Sequence, residues 1–311
     1  MARYIDPFTD TGFKIIFGKE NQSELILKGF LNELFRGQPY FEEITELSYI
    51  NNERARDHKE GKTIIHDIIC TTNKGHRFIV EMQKELKDDF KYRSVYYLCR
   101  GVTDQVKIAS KSKGKGFSFL PVVGVFICDF LITDMEKRLA NHYMLNNVDD
   151  GKPLSSSLRC TYIQLPVFNK SWEECESKFD QWVYILKNMY KLEEFPEITR
   201  KDEVFSRLEE VASYAALTEE EKIAYEADLR WASEYEEEMR SAKRMAMEEG
   251  YKEGQQKGLE EGRVAGREEG LAEGKLEEKR NVARTALSMK MDMETIKKLS
   301  GLTEEEILKL K

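Results

Sequence analysis

The sequence predicts an α/β domain whose sheet is covered by helices, followed by an all-helical C-terminal tail. Residues 1–170 alternate helical apolar spacing with short β-branched runs, which is typical of a sheet covered by helices on both faces. After Phe168 the apolar residues recur at helical spacing alone. Charge divides at the same place: residues 1–170 hold 25 basic and 22 acidic side chains, and residues 171–311 hold 24 and 35. We therefore expect four parts, at residues 1–170, 171–216, 217–280 and 281–311.

The elements of the front half follow from the spacing of their apolar residues. A helix is predicted over 22–35, with Ser23 as its N-cap, and a second over 92–109. The apolar stripe expected to be buried on this second helix consists of Val95, Leu98, Val102, Val106 and Ala109. Short β-branched or alternating runs predict strands over 44–50, 63–70, 77–83, 119–130 and 159–167.

The tail is predicted to be helical throughout. Residues 171–216 are expected to pack on the front domain, beginning with a helix over 172–190. Capping boxes, in which a Ser or Thr and the Glu three residues later satisfy each other's backbone groups, are predicted at Ser171, Thr218 and Thr303. The end of the chain is helix-turn-helix in outline, with a glycine at the turn. Acidic residues in its second helix favour a small packing unit over a DNA-reading one.

A glycine recurs at every fourth position from Gly250 to Gly274. Each glycine costs a helix about 1 kcal/mol relative to alanine, so close helix–helix contact has to offset that cost, or the segment is only partly ordered. Two alternatives stay open at this point: a long helix that is solvated or self-associating, and a frayed linker. The first alternative predicts that residues 218–280 mediate homo-oligomerisation.

Composition excludes several classes of protein. A hydrophobic fraction of 41% excludes wholesale disorder. The N-terminus lacks an apolar signal core, and the longest apolar run, 117–132, is broken and shorter than the ~20 residues that span a bilayer. Five scattered cysteines predict reduced thiols. We therefore expect a cytoplasmic protein with no membrane partner.

Two carboxylates occur in adjacent predicted strands. If residues 63–70 and 77–83 pair as a hairpin centred on Lys74, paired residues have the index sum 148, and Asp67 lies across from Glu81. Their Cβ atoms would be about 5 Å apart, and Gln83 would share the face of Glu81. Two facing carboxylates need positive charge between them. The sequence leaves open whether this is Mg²⁺, a salt bridge from His66, Arg77 or Lys62, or solvent exposure of the pair.

Five segments, taken together and in order, resemble the PD-(D/E)XK nuclease family transposases, also called recombination-promoting nucleases. They are DPFTDTGFKIIFG (6–18), FLNELF (30–35), HDIICTTNKGHRFIVEMQ (66–83), YRSVYYLCRGVTDQV (92–106) and KGFSFLPVVGVFICDF (115–130). The resemblance covers about residues 3–170 and continues weakly into the glycine repeat and the GLTEEEI tail. It implies a restriction-endonuclease-like fold, that is, a mixed sheet flanked by helices, and a nuclease-like domain over residues 1–170.

The resemblance also implies a DNA endonuclease linked to recombination or transposition, with Mg²⁺ or Mn²⁺ as its cofactor. Asp67 and Glu81 match the family's metal ligands, and the carbonyl of Met82 is a candidate third ligand. Gln83 stands where the broader superfamily has a lysine, which also leaves open a degenerate nuclease fold that binds DNA or protein without cutting. Lys14 and Lys84 are candidates for the missing positive charge. Asp10 and Lys14 match the N-terminal motif, although Asp10 is equally a candidate helix cap.

Basic residues near this site predict contact with double-stranded DNA. The candidates are Lys84, Arg93, Arg100, Lys107, Lys111, Lys113 and Lys115. Arg93, Arg100 and Lys107 are seven residues apart and so share one side of the predicted helix. A merely solvated helix face is the alternative.

Overall fold

A six-stranded sheet organises the front of the chain in the structure, a computed structural model that describes residues 2–50, 68–109 and 119–310, with the backbone alone for 107–109. The strands are β1 (Leu47–Tyr49), β2 (Ile68–Thr72), β3 (Arg77–Gln83), β4 (Val122–Cys128), β5 (Ala140–Asn146) and β6 (Pro153–Gln164). The helices of this part are α1 (Asp10–Phe17), α2 (Glu24–Leu34), α3 (Phe90–Ala109), α4 (Lys178–Asn188) and α5 (Glu203–Ala212). They are followed by α6 (Glu219–Ser288), α7 (Met293–Ser300) and α8 (Glu304–Leu308).

The strand order is β1-β2-β3-β4-β6-β5, and the sheet is mixed. Strands β1, β2 and β3 form an antiparallel meander, whereas β4 pairs in parallel with both β3 and β6. The described pairs of β2 and β3 run from Ile68 opposite Val80 to Thr71 opposite Arg77, each with the index sum 148. This confirms the predicted hairpin register over the described pairs.

Apolar layers cover both faces of the sheet. One layer joins Phe78 and Val80 of β3 to the helices α1, α2, α4 and α5, and Trp182 lies in it. The opposite layer joins Ile79 of β3 to Phe90 and Leu98 of α3. Because side chains alternate along a strand, β3 sends successive residues to opposite layers. The predicted fold class, a mixed sheet flanked by helices with an all-helical tail, is confirmed.

The buried side of α3 differs from the predicted stripe. Its buried side consists of Phe90, Ser94, Tyr97, Leu98 and Gly101, whereas Val95 is 51% exposed. The helix begins at Phe90, whose ring meets those of Phe126 and Tyr162 edge-on at centroid distances of 6.0 Å. This contact of Phe90 sets the rotation of α3, so the side of the helix that is buried differs from the apolar stripe predicted from residue spacing.

The start of α4 also differs from prediction. The predicted capping box at Ser171 forms only a local turn, in which the Ser171 backbone N–H donates to Glu174 at 2.8 Å. The helix begins six residues later, where Ser177 and Asp180 form the capping box. The capping boxes predicted at Thr218 and Thr303 are both present. Strand β5 was not predicted, because as an edge strand it has mostly exposed side chains and no clear alternation.

The chain divides into two compact units, Met1–Ala232 and Ser233–Lys311. The glycine repeat lies within the helix α6, and an added Cβ at any of its seven glycines would meet nothing within 4 Å. In the second unit, a small apolar core joins Ala283 and Ala286 to Ile296, Leu302 and Ile307. Gly301 makes the turn between α7 and α8 with φ of +62°. The predicted helix-turn-helix outline is confirmed.

All five cysteines are free thiols. Among the described helices, none combines the length and apolarity that crossing a membrane requires.

Candidate active site

Glu81 lies near the carboxyl end of β3, on the face that carries α3. It is 2% exposed, and both of its carboxylate oxygens are buried. Residues on either side of it on this face contact α3: Arg77 donates to the carbonyl of Gly101 at 3.0 Å, and Gln83 accepts from Arg93. Burying a carboxylate costs several kcal/mol unless cations or hydrogen-bond donors compensate it. A strand that carries such a group beside a polar Gln83 is a candidate for chemistry rather than for packing.

The backbone of Met82 is directed toward β2. The N–H of Arg77 donates to Pro121 and the carbonyl of Gln83 accepts from Asp129, so these two residues turn their backbone groups to β4. Neighbouring residues of a strand turn theirs to opposite sides, which directs the Met82 carbonyl to β2. The Met82 side chain belongs to the other apolar layer. The carbonyl, rather than the thioether, is therefore the group that Met82 offers on the β2 side.

Asp67 lies outside the described residues, as do His66 and Lys62. The described part of β2 starts one residue later, at Ile68. Within the described ranges, no three His, Cys, Asp or Glu side chains come close enough together to hold a metal ion. The ligand roles of Asp67, Glu81 and Met82 therefore stay predictions. Arg77, one of the predicted salt-bridge partners, donates a hydrogen bond to α3.

Arg93 brings positive charge to Gln83. Its Nη2 donates to Oε1 of Gln83 at 3.1 Å, and its side chain is 23% exposed. Sequence reasoning placed Arg93 among the DNA contacts and missed this link. The order of the elements was the available signal. A helix that follows a strand after a short loop starts beside the end of that strand, so the first turn of α3 was to be expected near Gln83.

The other predicted DNA contacts lie apart from Gln83 or outside the described residues. Arg100 forms an ion pair with Asp104 on the same helix, with 3.2 Å between Nε and Oδ1. The side chain of Lys107 lies outside the described structure, together with Lys111, Lys113 and Lys115. Their contact with DNA stays a prediction.

The N-terminal motif forms the start of α1. Thr9, not Asp10, is the N-cap, because its Oγ1 accepts the N–H of Gly12 at 3.0 Å. The alternative cap role of Asp10 was therefore wrong. Nζ of Lys14 lies 2.6 Å from Oδ2 of Asp10, and the two side chains are 43% and 60% exposed. Asp10 and Lys14 line a surface cavity with Ile68, the first described residue of β2.

Lys84 acts on the opposite face of the sheet from Gln83. Burial raises the pKa of Asp6, and the nearby Lys84 opposes that rise. Burial likewise raises the pKa of Asp129, which directly follows β4, and Lys84 again opposes it. Asp6 and Asp129 were not predicted as a pair of carboxylates near Lys84. A signal was available for Asp129, because it directly follows the buried strand β4.

A mixed sheet of this order, with a buried glutamate and a glutamine two residues later on its central hairpin, defines a nuclease-fold protein of the PD-(D/E)XK type. Residues 7–242 match the model of the PD-(D/E)XK nuclease family transposases, and the chain belongs to that family. Residues 276–311 match the C-terminal HTH domain of the Rpn/YhgA-like nuclease family. The chain has no significant match among curated proteins or among solved structures.

The matched range reaches further than the segments that carried the resemblance. It extends past residue 170 to residue 242 and so includes α4, α5 and the start of α6. The helices α4 and α5 contribute Trp182 and Phe205 to the same apolar layer as Phe17 of α1. The helices that follow the sheet are therefore part of the fold that this family shares.

Proposed function

We propose that the protein is a metal-dependent endonuclease that hydrolyses phosphodiester bonds of double-stranded DNA in the cytoplasm, in a recombination or transposition setting. The observation that carries the proposal is the buried carboxylate of Glu81, with Gln83 on the same face of β3, in a chain of the PD-(D/E)XK nuclease family. Asp67 directly precedes Ile68. In this proposal it continues the register of the hairpin and stands across from Glu81.

The residues present suit a hard divalent cation. The carboxylates of Asp67 and Glu81 and the carbonyl of Met82 are oxygen donors, which is the chemistry that Mg²⁺ or Mn²⁺ requires. The shielded oxygens of Glu81 supply negative charge where solvent competes little. When bound, the ion would stabilise negative charge on the scissile phosphate.

Gln83 orients groups in the site but does not take up their protons. Its carboxamide is neutral at ordinary pH and offers two N–H donors and one acceptor oxygen. In this proposal its amide holds the attacking water by hydrogen bonding. The basic residues Lys84, Arg100, Lys107, Lys111, Lys113 and Lys115 are proposed to contact the phosphates of the DNA.

The proposed DNA cleavage requires a divalent metal ion. The purified protein should convert supercoiled plasmid into nicked and then linear forms in Mg²⁺ or Mn²⁺. EDTA should stop the conversion, and added Mg²⁺ in excess over EDTA should restore it, because the oxygen ligands need a divalent ion. Agarose gels of samples taken at successive times measure the conversion with the metal ion, with EDTA, and after Mg²⁺ is added in excess. If plasmid stays supercoiled with either ion over a range of salt concentrations, the proposed activity is excluded.

A second candidate function is a catalytically degenerate nuclease fold that binds without cutting. The observation that favours it is the neutral Gln83 at the position of the superfamily's lysine. Fluorescence anisotropy with labelled duplex DNA separates the two functions. Saturable binding without product in Mg²⁺ supports the degenerate fold, whereas binding with product supports the endonuclease.

We also propose that the chain forms a homo-oligomer through α6. Seven glycines recur every fourth residue on this helix, and space around all seven is open. Since glycine weakens a helix, a second copy of the chain packed closely on this stripe would explain why small residues stand there. Two nuclease domains joined in this way would be able to cut both strands.

Replacing Gly254, Gly258 and Gly262 together with alanine tests this contact. Each replacement should stabilise the helix by up to about 1 kcal/mol, because alanine has the higher helix propensity. If the glycines let a second helix approach, the same variant should shift the oligomer toward monomer, measured by light scattering after size-exclusion chromatography. Gln255→Ala and Gln256→Ala, on the same helix but off the stripe, serve as controls. A wild-type protein that is monomeric at micromolar concentration contradicts the proposal.

A further inference from the structure

The amide of Gln83 has a defined orientation. Arginine carries N–H donors only, so the atom of Gln83 that meets Arg93 Nη2 at 3.1 Å has to be the acceptor Oε1. The amide nitrogen, with its two N–H bonds, is then directed away from Arg93. A lysine at this position would present N–H donors and a positive charge. In this chain, the N–H donors belong to Gln83. The positive charge belongs to Arg93, which contacts the oxygen of the same carboxamide.

Arg93 is held in place by the helix that carries it. It lies in the first turn of α3, between Phe90, which packs against Phe126 and Tyr162, and Ser94, whose hydroxyl lies 2.5 Å from that of Tyr162. Nε of Arg93 is buried and has no hydrogen-bond partner within the described residues. The neighbouring Asp89 is 3.9 Å away and 70% exposed, so it neutralises Arg93 weakly. Among the described residues, the side-chain hydrogen bond of the Arg93 guanidinium goes to Gln83.

The other two candidate cations serve different groups. Nζ of Lys14 lies 2.6 Å from the carboxylate of Asp10. Lys84 acts on Asp6 and Asp129, which lie with the opposite layer of the sheet. Of the cations in the described part of the chain, Arg93 is the one with a hydrogen bond to Gln83.

We infer that Arg93 supplies, through Gln83, the positive charge that the superfamily's lysine carries itself, and that it is a positioning residue for the proposed hydrolysis. Its charge polarises the Gln83 carboxamide, because donating to Oε1 makes the N–H bonds on the same amide stronger donors. Its fixed fork also prevents the amide from flipping. This inference rests on the proposed endonuclease function, and it assigns Arg93 a role other than contact with DNA phosphates.

Steady-state cleavage of duplex DNA by the full chain, which gives both kcat and KM, tests the inference. Arg93→Ala should lower kcat by about 10- to 100-fold, as is usual for loss of a supporting residue, with KM for DNA changed less than about threefold. Arg93→Lys should recover part of the lost rate, because an ammonium group still donates to Oε1. Arg93→Lys also keeps the test open if the alanine variant does not fold, as judged by thermal unfolding.

A second substitution separates positioning from packing. In wild type, Gln83→Lys would place an ammonium group against the Arg93 guanidinium, and like charges repel, so no gain in rate is expected. In the Arg93→Ala background, Gln83→Lys restores the charge directly and should raise kcat at least about tenfold over the single variant. A purely structural role of Arg93 predicts no such rescue.

Arg100→Ala is the comparison variant on the same helix. Arg100 is similarly shielded, at 26% exposed, and is paired with Asp104 rather than with Gln83. If both variants raise KM, weaken the salt dependence and leave kcat unchanged, Arg93 is a phosphate contact and the inference is overturned. If wild type itself does not cleave DNA, the proposed function has failed. If wild type cleaves and Arg93→Ala keeps its kcat, this inference alone has failed.

Discussion

Replacing Glu81 with glutamine is expected to lower the rate of Mg²⁺-dependent DNA cleavage at least about a thousand-fold while the protein stays folded. The substitution removes one negative charge and keeps the shape of the side chain. Loss of several kcal/mol of charge stabilisation corresponds to this factor, since each tenfold change in rate is about 1.4 kcal/mol. Asp67→Asn should have a similar effect, because the proposed site needs both carboxylates.

The fold of these variants is measured by thermal unfolding. Glu81 is 2% exposed, and glutamine keeps the volume of its side chain, so Glu81→Gln should unfold in a cooperative transition like that of wild type. Glu209→Gln is the matched control, since it removes the same charge from α5, where Glu209 accepts a hydrogen bond from the Tyr4 hydroxyl. Full cleavage activity in folded Glu81→Gln would remove Glu81 from the site.

Replacing Trp182 with alanine is expected to lower the free energy of unfolding by about 3–5 kcal/mol, the usual cost of removing a large buried aromatic side chain. Trp182 is fully buried, with ring centroids 4.9 Å from Phe205, 5.6 Å from Phe30 and 6.5 Å from Phe17. Since these rings come from α1, α2 and α5, one cavity would weaken several helices at once. Urea denaturation monitored by circular dichroism measures the change.

Trp182→Phe is the control for this prediction. Nε1 of Trp182 is buried and has no hydrogen-bond partner in the described part of the chain, so the substitution removes no hydrogen bond to those residues. Phenylalanine keeps most of the aromatic contact, and the loss should be well below that of alanine. An alanine variant that loses less than about 1 kcal/mol would show that α4 is not integral to this core.

The packing of Trp182 also bears on where the domain ends. Trp182 and Phe205 follow residue 170, yet they pack in the same layer as Phe17. The family match to residue 242 agrees with this packing. A fragment that stops at residue 170 would expose the apolar surface that α4 and α5 cover, and it is expected to be unstable.

Local and periodic features of the fold could be predicted from the sequence. The register of β2 and β3 was predictable because the short turn between them fixes which residues pair, and the apolar pattern specifies the faces. The capping boxes at Thr218 and Thr303 were predictable because their partners are three residues apart. The same locality allowed Glu81 and Gln83 to be assigned to one face of a strand.

Choices between equivalent local patterns were decided by tertiary structure. Ser171 and Ser177 each precede an acid at capping distance, but the helix starts at the second, where Trp182 and the following residues enter the core. Thr9 and Asp10 were both able to cap α1. Gly12, three residues after Thr9, permits the observed turn, since a Cβ there would lie 2.1 Å from the Asp6 carbonyl oxygen.

The sequence by itself determined the fold class, the hairpin and the family, because these depend on periodicity, short-range pairing and ordered motifs. Only the tertiary structure decided that Arg93 meets Gln83 rather than solvent. Arg93 follows Gln83 by ten positions, with the turn into α3 between them, and the packing of Phe90 on Phe126 and Tyr162 sets how that helix is rotated. A seven-residue spacing of basic side chains describes one side of a helix. The spacing does not determine which side of the helix packs against the core, because that depends on apolar contacts with residues far away in the chain.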